Sequence, residues 1–155
     1  MEIKIIMFIN LFAYCLVVSQ SFSYIISLRN VQQNMNASAY IELRKLTDKN
    51  YQYKFRLILY FTLLSCTILT ILSSMHLTGL LFITTFIAWI ALVADVLIAV
   101  KGNMPINKTI NSWTAETYPL DWQDYRNRWL SIFAKRQVLN IIGFLSLLAG
   151  AVFAS

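Results

Sequence analysis

The chain has little charge, which argues against a soluble domain, and one histidine, which argues against a haem or a metal site. It also has only two cysteines. Only 13% of its 155 residues are Asp, Glu, Lys or Arg, and 58% are hydrophobic, whereas soluble domains have about 25% and about 45–50%. The single histidine, His76, excludes a bis-histidine haem and has no Cys or Glu companions at ligand spacing. Cys15 and Cys66 lie inside apolar stretches, where cysteine behaves as a small hydrophobic residue. We therefore expect neither a metal ion nor a cofactor.

Four long apolar stretches fill most of the chain, at approximately residues 5–28, 57–74, 77–100 and 130–153. At a rise of about 1.5 Å per residue, most of them are long enough to cross a hydrocarbon core of roughly 30 Å. The sequence therefore predicts an all-α, four-transmembrane-helix bundle that forms a single integral-membrane domain over residues 1–155. One face of the last stretch carries small residues suited to close helix contact, namely Gly143, Ser146, Gly150 and Ala154.

The first stretch also has features of a cleavable signal peptide. Lys4 precedes the apolar run, and Ser21-Phe22-Ser23 has the small–x–small pattern of a cleavage site. Against this interpretation, Glu2 weakens the basic start, and the apolar character resumes at residues 24–28. We therefore favour a membrane span.

The charged residues are concentrated in two of the segments between the stretches. Residues 30–50 carry a rough helical stripe of apolar side chains, which predicts a short interfacial amphipathic helix between the first and second spans. Twelve of the thirteen Lys and Arg residues flank or occupy the first and third connections, which lie on one side of a four-span bundle. The positive-inside rule places both connections in the cytoplasm and both termini outside, and we expect a bacterial inner membrane. It also explains the net charge of +6 without nucleic acid as a partner.

The polar side chains within the spans are concentrated in the predicted cytoplasmic half, and the outer half offers almost none. Asp95 is the one carboxylate within a span, and Gln20 and Tyr24 lie one helical turn apart on the first span. Because polar groups that face lipid are costly, we expect Asp95 to pair with a basic side chain, Arg136 being favoured over Arg56. One interpretation is purely structural, with an ion pair and interhelical hydrogen bonds. The other is a polar pocket that opens between the helices.

The third connection contains the most distinctive local pattern, Asn103-Met104-Pro105-Ile106-Asn107 followed by Trp113. One interpretation is a rigid corner in which Gly102 and Asn103 end one helix, Pro105 prevents its continuation and Asn107 caps the next. Aromatic and basic residues follow before and within the last span, namely Trp122, Arg126, Trp129 and Arg136. The two tryptophans could belong to a ligand site or could simply anchor the helix at the membrane interface.

Taken together, these features resemble the anthrone-oxygenase-like family of small four-helix membrane proteins, many of which have no assigned function. The resemblance covers most of the chain in its layout. It rests on residues 103–107 with Trp113, on Arg126, Trp129 and Arg136, and more loosely on Tyr40-Ile41-Glu42-Leu43-Arg44. Members of that family often carry a histidine about one turn after the tryptophan that matches Trp129. In this chain Phe133 occupies that region.

The resemblance implies oxidation of a flat hydrophobic phenol, similar to an anthrone, by molecular oxygen without a metal or flavin. Such a site removes a proton and stabilises the resulting enolate. The implied catalytic residues are Asp95 as the base and Arg126 or Arg136 as the stabilising charge. The implied substrate-binding residues are Asn103, Asn107, Trp113 and Trp129, the tryptophans by stacking on the flat substrate. Gln20 and Tyr24 are added as substrate-binding residues because they lie at the same depth in the bundle.

The alternative function is a non-catalytic bundle that binds lipid or serves as an accessory subunit of a larger membrane complex. A channel or transporter ranks third, because no span carries the repeated ionisable residues of an ion path. The candidate partners are the lipid bilayer, a small hydrophobic aromatic ligand, a second copy of the chain and another membrane protein.

Overall fold

The computed structural model describes residues 2–76 and 78–154, so that the predicted start of the third span at residue 77 lies outside the described residues. Four long helices, each with a segment apolar enough to cross a membrane, are α1 (Ile3–Asn34), α2 (Ala37–Ser73), α3 (Leu80–Asn111) and α4 (Trp122–Phe153). Large apolar side chains such as Phe8, Phe12 and Leu64 are exposed on their outer surfaces, as in helices that face lipid. The prediction of an all-α chain with four helices long and apolar enough to cross a membrane is confirmed, and this length and composition indicate an integral membrane protein.

Three of the helices extend beyond the predicted apolar stretches, and each does so through a π-helical turn. The turns are Tyr24–Leu28 in α1, Tyr51–Phe55 in α2 and Ala99–Asn103 in α3. All three lie toward the end of the bundle that holds the α1–α2 and α3–α4 connections. We call this the basic end, because twelve of the thirteen Lys and Arg residues lie at residues 29–56 or 101–136, on the helical turns that lead into and out of these connections. Single π turns within α-helices are frequent at functional sites.

The structure does not set residues 30–50 apart as a separate helix. The first of these residues end α1, and Asn36 caps the following helix by accepting the Ala39 N–H at 3.0 Å. The remainder, Ala37–Asn50, forms the first turns of α2 and continues through the π turn into the apolar segment Arg56–Ser73. Because the π turn keeps the backbone groups hydrogen-bonded, the helix crosses the change from polar to apolar sequence without a break.

The prediction of a capped corner at residues 103–107 is wrong, because α3 continues through this segment to Asn111. Pro105 occupies a first-turn position of the helical segment Met104–Asn111, where its missing N–H is tolerated. The preceding π turn closes with a hydrogen bond from the Met104 N–H to the Ala99 carbonyl. The helix therefore continues where proline was expected to stop it.

The small-residue face of α4 mediates close contact with α1 and α3, as predicted. A Cβ at Gly143 would overlap the Tyr14 hydroxyl of α1, and a Cβ at Gly150 would overlap Thr84 of α3. Ser146 donates a hydrogen bond to the Thr84 carbonyl at 3.0 Å. Bundles in lipid depend on such backbone approach, since hydrophobicity does not hold their helices together.

The half of the bundle away from the basic end is less featureless than the sequence indicated. Asn10 of α1 is fully buried there. Its amide donates to Ser65 Oγ at 2.8 Å and to the Thr62 carbonyl at 3.4 Å, which connects α1 to α2. The sequence did not mark Asn10, because one amide inside an apolar run gives no indication of a partner.

Candidate functional site

A cavity of about 770 Å³ lies between α2 and α3 at the basic end. On one side of it, Ala37–Asn50 packs against Met104–Asn111, and on the other, Arg56–Ser73 packs against Leu80–Ile98. The two π turns between these contacts pack less closely, and the cavity occupies the gap. Its volume falls within the range of about 300–1,000 Å³ that is typical of small-molecule pockets.

The walls of the cavity combine aromatic, basic and amide side chains. The aromatic lining residues are Tyr51, Phe55, Tyr60, Trp129 and Phe133. The basic lining residues are Arg44, Arg56, Lys108 and Arg136. The remaining polar lining side chains include Gln20, Asp48, Gln52, Asn103, Asn107 and Asn111. This combination suits a ligand with a flat apolar body and a polar or acidic group.

Beside the cavity, Asp95 and Arg136 form a buried ion pair, which confirms the predicted pairing. Arg136 Nε lies 2.7 Å from Asp95 Oδ1, and Nη2 lies 3.3 Å from Oδ2, so the guanidinium binds both carboxylate oxygens. Arg136 Nη1 also donates to Asn103 Oδ1 at 3.3 Å, and Asn103 Nδ2 donates to the Trp129 carbonyl at 3.1 Å. Asp95 does not line the cavity itself and acts on it only through Arg136.

A second polar network joins three helices through Asn107. Its Oδ1 accepts hydrogen bonds from Arg44 Nη2 at 2.9 Å and from Trp129 Nε1 at 2.8 Å. Its Nδ2 donates to Asp48 Oδ1 at 2.8 Å. The other oxygen of Asp48 accepts from two further amides, those of Gln52 at 2.9 Å and Asn111 at 2.7 Å. Asn107 thus connects α3 to α2 and α4 at the cavity wall.

Arg44 is buried at the cavity without a carboxylate partner among the described residues. It is only 4% exposed, and its guanidinium carbon lies 3.8 Å from the centroid of the Trp129 ring. Its two hydrogen bonds go to neutral oxygens, those of Asn107 and of the Tyr24 hydroxyl at 3.5 Å. Its Nε has no hydrogen-bond partner within the part of the chain that the structure describes.

The structure brings most of the predicted site residues to this cavity. Five of the nine line it, namely Gln20, Asn103, Asn107, Trp129 and Arg136. Tyr24 lies behind the wall, where its hydroxyl accepts a hydrogen bond from Gln32 Nε2 at 2.9 Å. Its ring packs against Phe133, with the two ring centroids 4.5 Å apart. Trp129 was expected to stack on a ligand, but its ring already packs against the Arg44 guanidinium. It also stacks on the Phe133 ring, with the two centroids 5.0 Å apart. Its main contribution is therefore to position Arg44.

Two predicted residues lie away from the cavity. Trp113 packs edge-on against Tyr125, with ring centroids 5.2 Å apart. Arg126 lies 4.9 Å over the Trp122 ring and donates to the Met35 carbonyl at 3.4 Å. Trp113 thus joins the α3–α4 connection to α4, and Arg126 joins α4 to the α1–α2 connection.

Sequence reasoning missed the contribution of α2 to the site. Arg44, Asp48 and Gln52 recur every four residues, and this spacing places them on one helical face. The spacing was a usable signal. It was overlooked because residues 30–50 were assigned to the membrane surface, whereas the structure packs Ala37–Asn50 against Met104–Asn111.

A second cavity, of about 830 Å³, lies at the opposite end of the bundle. Apart from Lys4, its lining is uncharged and largely apolar, consisting of Ile3, Met7, Phe8, Leu11, Leu81, Gly150, Ala151 and Ala154. Within residues 2–76 and 78–154, no three His, Cys, Asp or Glu side chains are grouped to hold a metal ion. The convergence of polar side chains therefore marks the cavity at the basic end as the candidate site.

No family model, curated protein or solved structure matches the chain, so its function is inferred from the geometry of the cavity.

Proposed function

We propose that this membrane protein binds a flat hydrophobic phenol in the cavity between α2 and α3 and oxidises it with molecular oxygen. The proposal depends on one observation above all. A cavity with aromatic walls, opening between two helices, contains two arginines that asparagines of the 103–107 segment hold in place. The resemblance of the sequence to anthrone oxygenases supplies the reaction class.

The reaction converts a ring CH₂ group into a carbonyl group. One atom of O₂ enters the product, and the other leaves as water with the two hydrogens. The protein removes the first proton and stabilises the enolate, which then reacts with oxygen. In our proposal Asp48, the carboxylate that lines the cavity, accepts the proton, and Arg44 and Arg136 stabilise the enolate. Asp95, which the sequence favoured as the base, serves to position Arg136.

The placement of the cavity favours a ligand that arrives from the bilayer. The cavity lies between helices, beside the apolar segments that cross the membrane. In our proposal the basic end faces the cytoplasm of a bacterial cell, both termini lie outside, and the polar first turns of α2 lie at the membrane interface. The positive-inside rule and the polar character of Ala37–Asn50 support this arrangement.

An oxygenation assay tests the proposal. Purified protein is incubated with an anthrone under oxygen, and quinone formation and oxygen uptake are followed together. We expect a rate well above spontaneous oxidation and a loss of about 100-fold or more in Asp48→Asn, since general bases contribute about 10²–10⁴-fold. Asp124→Asn, an exposed carboxylate of α4, is the matched control and should keep the parent rate. A parent rate equal to spontaneous oxidation would refute the enzymatic proposal.

A non-catalytic function is the second candidate, either as a lipid-binding bundle or as an accessory subunit. It is favoured by the exposed apolar side chains at the rim of the cavity, Tyr60, Val100 and Met104. Such a rim suits a lipid tail or an apolar helix of a partner. Mass spectrometry of the gently purified protein would support this candidate if it found a retained lipid or partner in a protein without oxygenase activity.

A further inference from the structure

The two arginines of the cavity differ in how their charge is balanced. Arg136 binds both oxygens of Asp95. Arg44, although only 4% exposed, has no carboxylate within 4.0 Å among the described residues. An arginine is not neutralised by losing its proton, because its guanidinium group stays protonated in proteins. Its charge must therefore be stabilised by its surroundings.

The neighbours of Arg44 stabilise its charge only in part. Contact with the Trp129 ring and a hydrogen bond to Asn107 are both favourable, but neither brings a negative charge. A guanidinium group has five N–H donors, and two hydrogen bonds are formed, to Asn107 and Tyr24. Asp48 lies one turn further along α2, and its oxygens are occupied by three amides rather than by Arg44.

The cavity as a whole carries an excess of positive charge. Arg56 and Lys108 also line it, and both are exposed at its rim. Of the nearby carboxylates, Asp95 is paired with Arg136, which leaves Asp48 to offset three cations. Such a cavity attracts anions, and a charge-assisted bond to a planar guanidinium favours carboxylate, phenolate and phosphate oxygens.

We propose that Arg44 is an anion-binding residue, which takes the acidic group of an amphiphile whose hydrophobic body lies between the π turns of α2 and α3. Trp129 and Asn107 act as positioning residues that hold the guanidinium in the cavity wall. The inference relies on the proposed function only in placing a ligand in this cavity, and it holds whether or not the ligand is oxidised.

The test compares two probes of nearly equal shape. One is a dihydroxyanthraquinone at a pH at which a phenol is ionised, and the other is its dimethyl ether, which carries no charge. Binding to the full chain in detergent micelles is measured through quenching of tryptophan fluorescence. We expect the parent to bind the phenolate about tenfold more tightly than the ether, which corresponds to one charge-assisted hydrogen bond.

Substitution at Arg44 should abolish this preference and leave binding of the ether largely unchanged. Arg44→Gln should bind both probes within about threefold of each other. Arg29→Gln, at an exposed arginine of the basic end that does not line the cavity, should keep the tenfold preference. If Arg44→Gln does not fold, Arg44→Lys keeps the charge without the planar fork and should show an intermediate preference.

A second arm identifies the source of the acidic group. In nanodiscs, phosphatidylglycerol should compete with the phenolate in the parent but not in Arg44→Gln if the natural ligand is a lipid headgroup. An absence of competition assigns the site to a free amphiphilic acid. Equal binding of the phenolate and the ether by the parent would refute the anion-binding role of Arg44 but not the proposed function. A preference for the phenolate that survives in Arg44→Gln would have the same consequence. If neither probe binds, the proposed function itself fails.

Discussion

Removing either member of the Asp95–Arg136 pair is expected to destabilise the bundle strongly. Asp95 is fully buried, and the Arg136 side chain is 11% exposed. Loss of one partner from a buried pair costs about 3–5 kcal/mol, since an uncompensated charge remains. In Asp95→Leu, Arg136 keeps its hydrogen bond to Asn103, so we expect the lower figure, about 3 kcal/mol. Arg136→Leu leaves the Asp95 carboxylate without a hydrogen-bond donor among the described residues and should cost at least as much.

The double variant separates the pair from the general packing of the site. Asp95→Leu with Arg136→Leu removes both charges and leaves apolar side chains, an exchange that is often nearly neutral. We expect it to cost less than either single variant, with a coupling energy of about 3 kcal/mol at the upper end of the usual range. Reversible unfolding in mixed micelles of increasing SDS content, followed by circular dichroism, gives the free energies of unfolding.

Exposed residues of α4, the helix that carries Arg136, provide the controls. Asp124→Leu and Arg128→Leu make the same chemical changes where the side chains are exposed. Such surface substitutions are expected to alter the free energy of unfolding by no more than about 0.5 kcal/mol. If either single variant at the pair unfolds like the parent, or if the double variant costs the sum of the two, the ion pair does not stabilise the bundle.

Two further predictions concern packing and topology. Gly143→Val should destabilise the bundle by about 1–3 kcal/mol, because even its Cβ would lie 1.9 Å from the Tyr14 hydroxyl oxygen. Gly102→Ala, whose Cβ would meet only the Ile132 side chain, at 2.8 Å from Cγ2, should cost less, and equal costs would contradict this account. Cysteines placed at Lys49 or Lys108 in a background without Cys15 and Cys66 should resist a membrane-impermeant reagent in intact cells. Labelling of either from outside would reverse the proposed orientation.

The features that the sequence predicted correctly depend on local or unavoidable physics. Apolar runs of about 20 residues must cross a membrane or be buried, so the four spans could be predicted from composition alone. Asp95 within such a run needed a basic partner, and few arginines lay at its depth. The glycines of α4 indicated a close contact, because a residue without a side chain lets two backbones approach.

The errors in the fold arose where backbone hydrogen bonding outweighed residue preference. Pro105 and Gly102 favoured a corner, yet a π turn rearranged the hydrogen bonds so that α3 continues to Asn111. The three π turns of this chain share no sequence pattern. Each differs from the α-helix only in which backbone groups are hydrogen-bonded to each other. The hydropathy of residues 30–50 likewise gave no sign that most of them extend α2.

The sequence by itself determined the class of this protein, its four spans, the concentration of polar side chains at the basic end and the pairing of Asp95 with Arg136. Only the tertiary structure decided which of those polar residues share a cavity. Arg44 and Asp48 reach it because the first turns of α2 pack against the last turns of α3, whereas Trp113 packs on Tyr125 and Arg126 binds the Met35 carbonyl. Hydropathy reports the depth of a residue in the membrane, but the neighbours of a side chain depend on the contacts between helices.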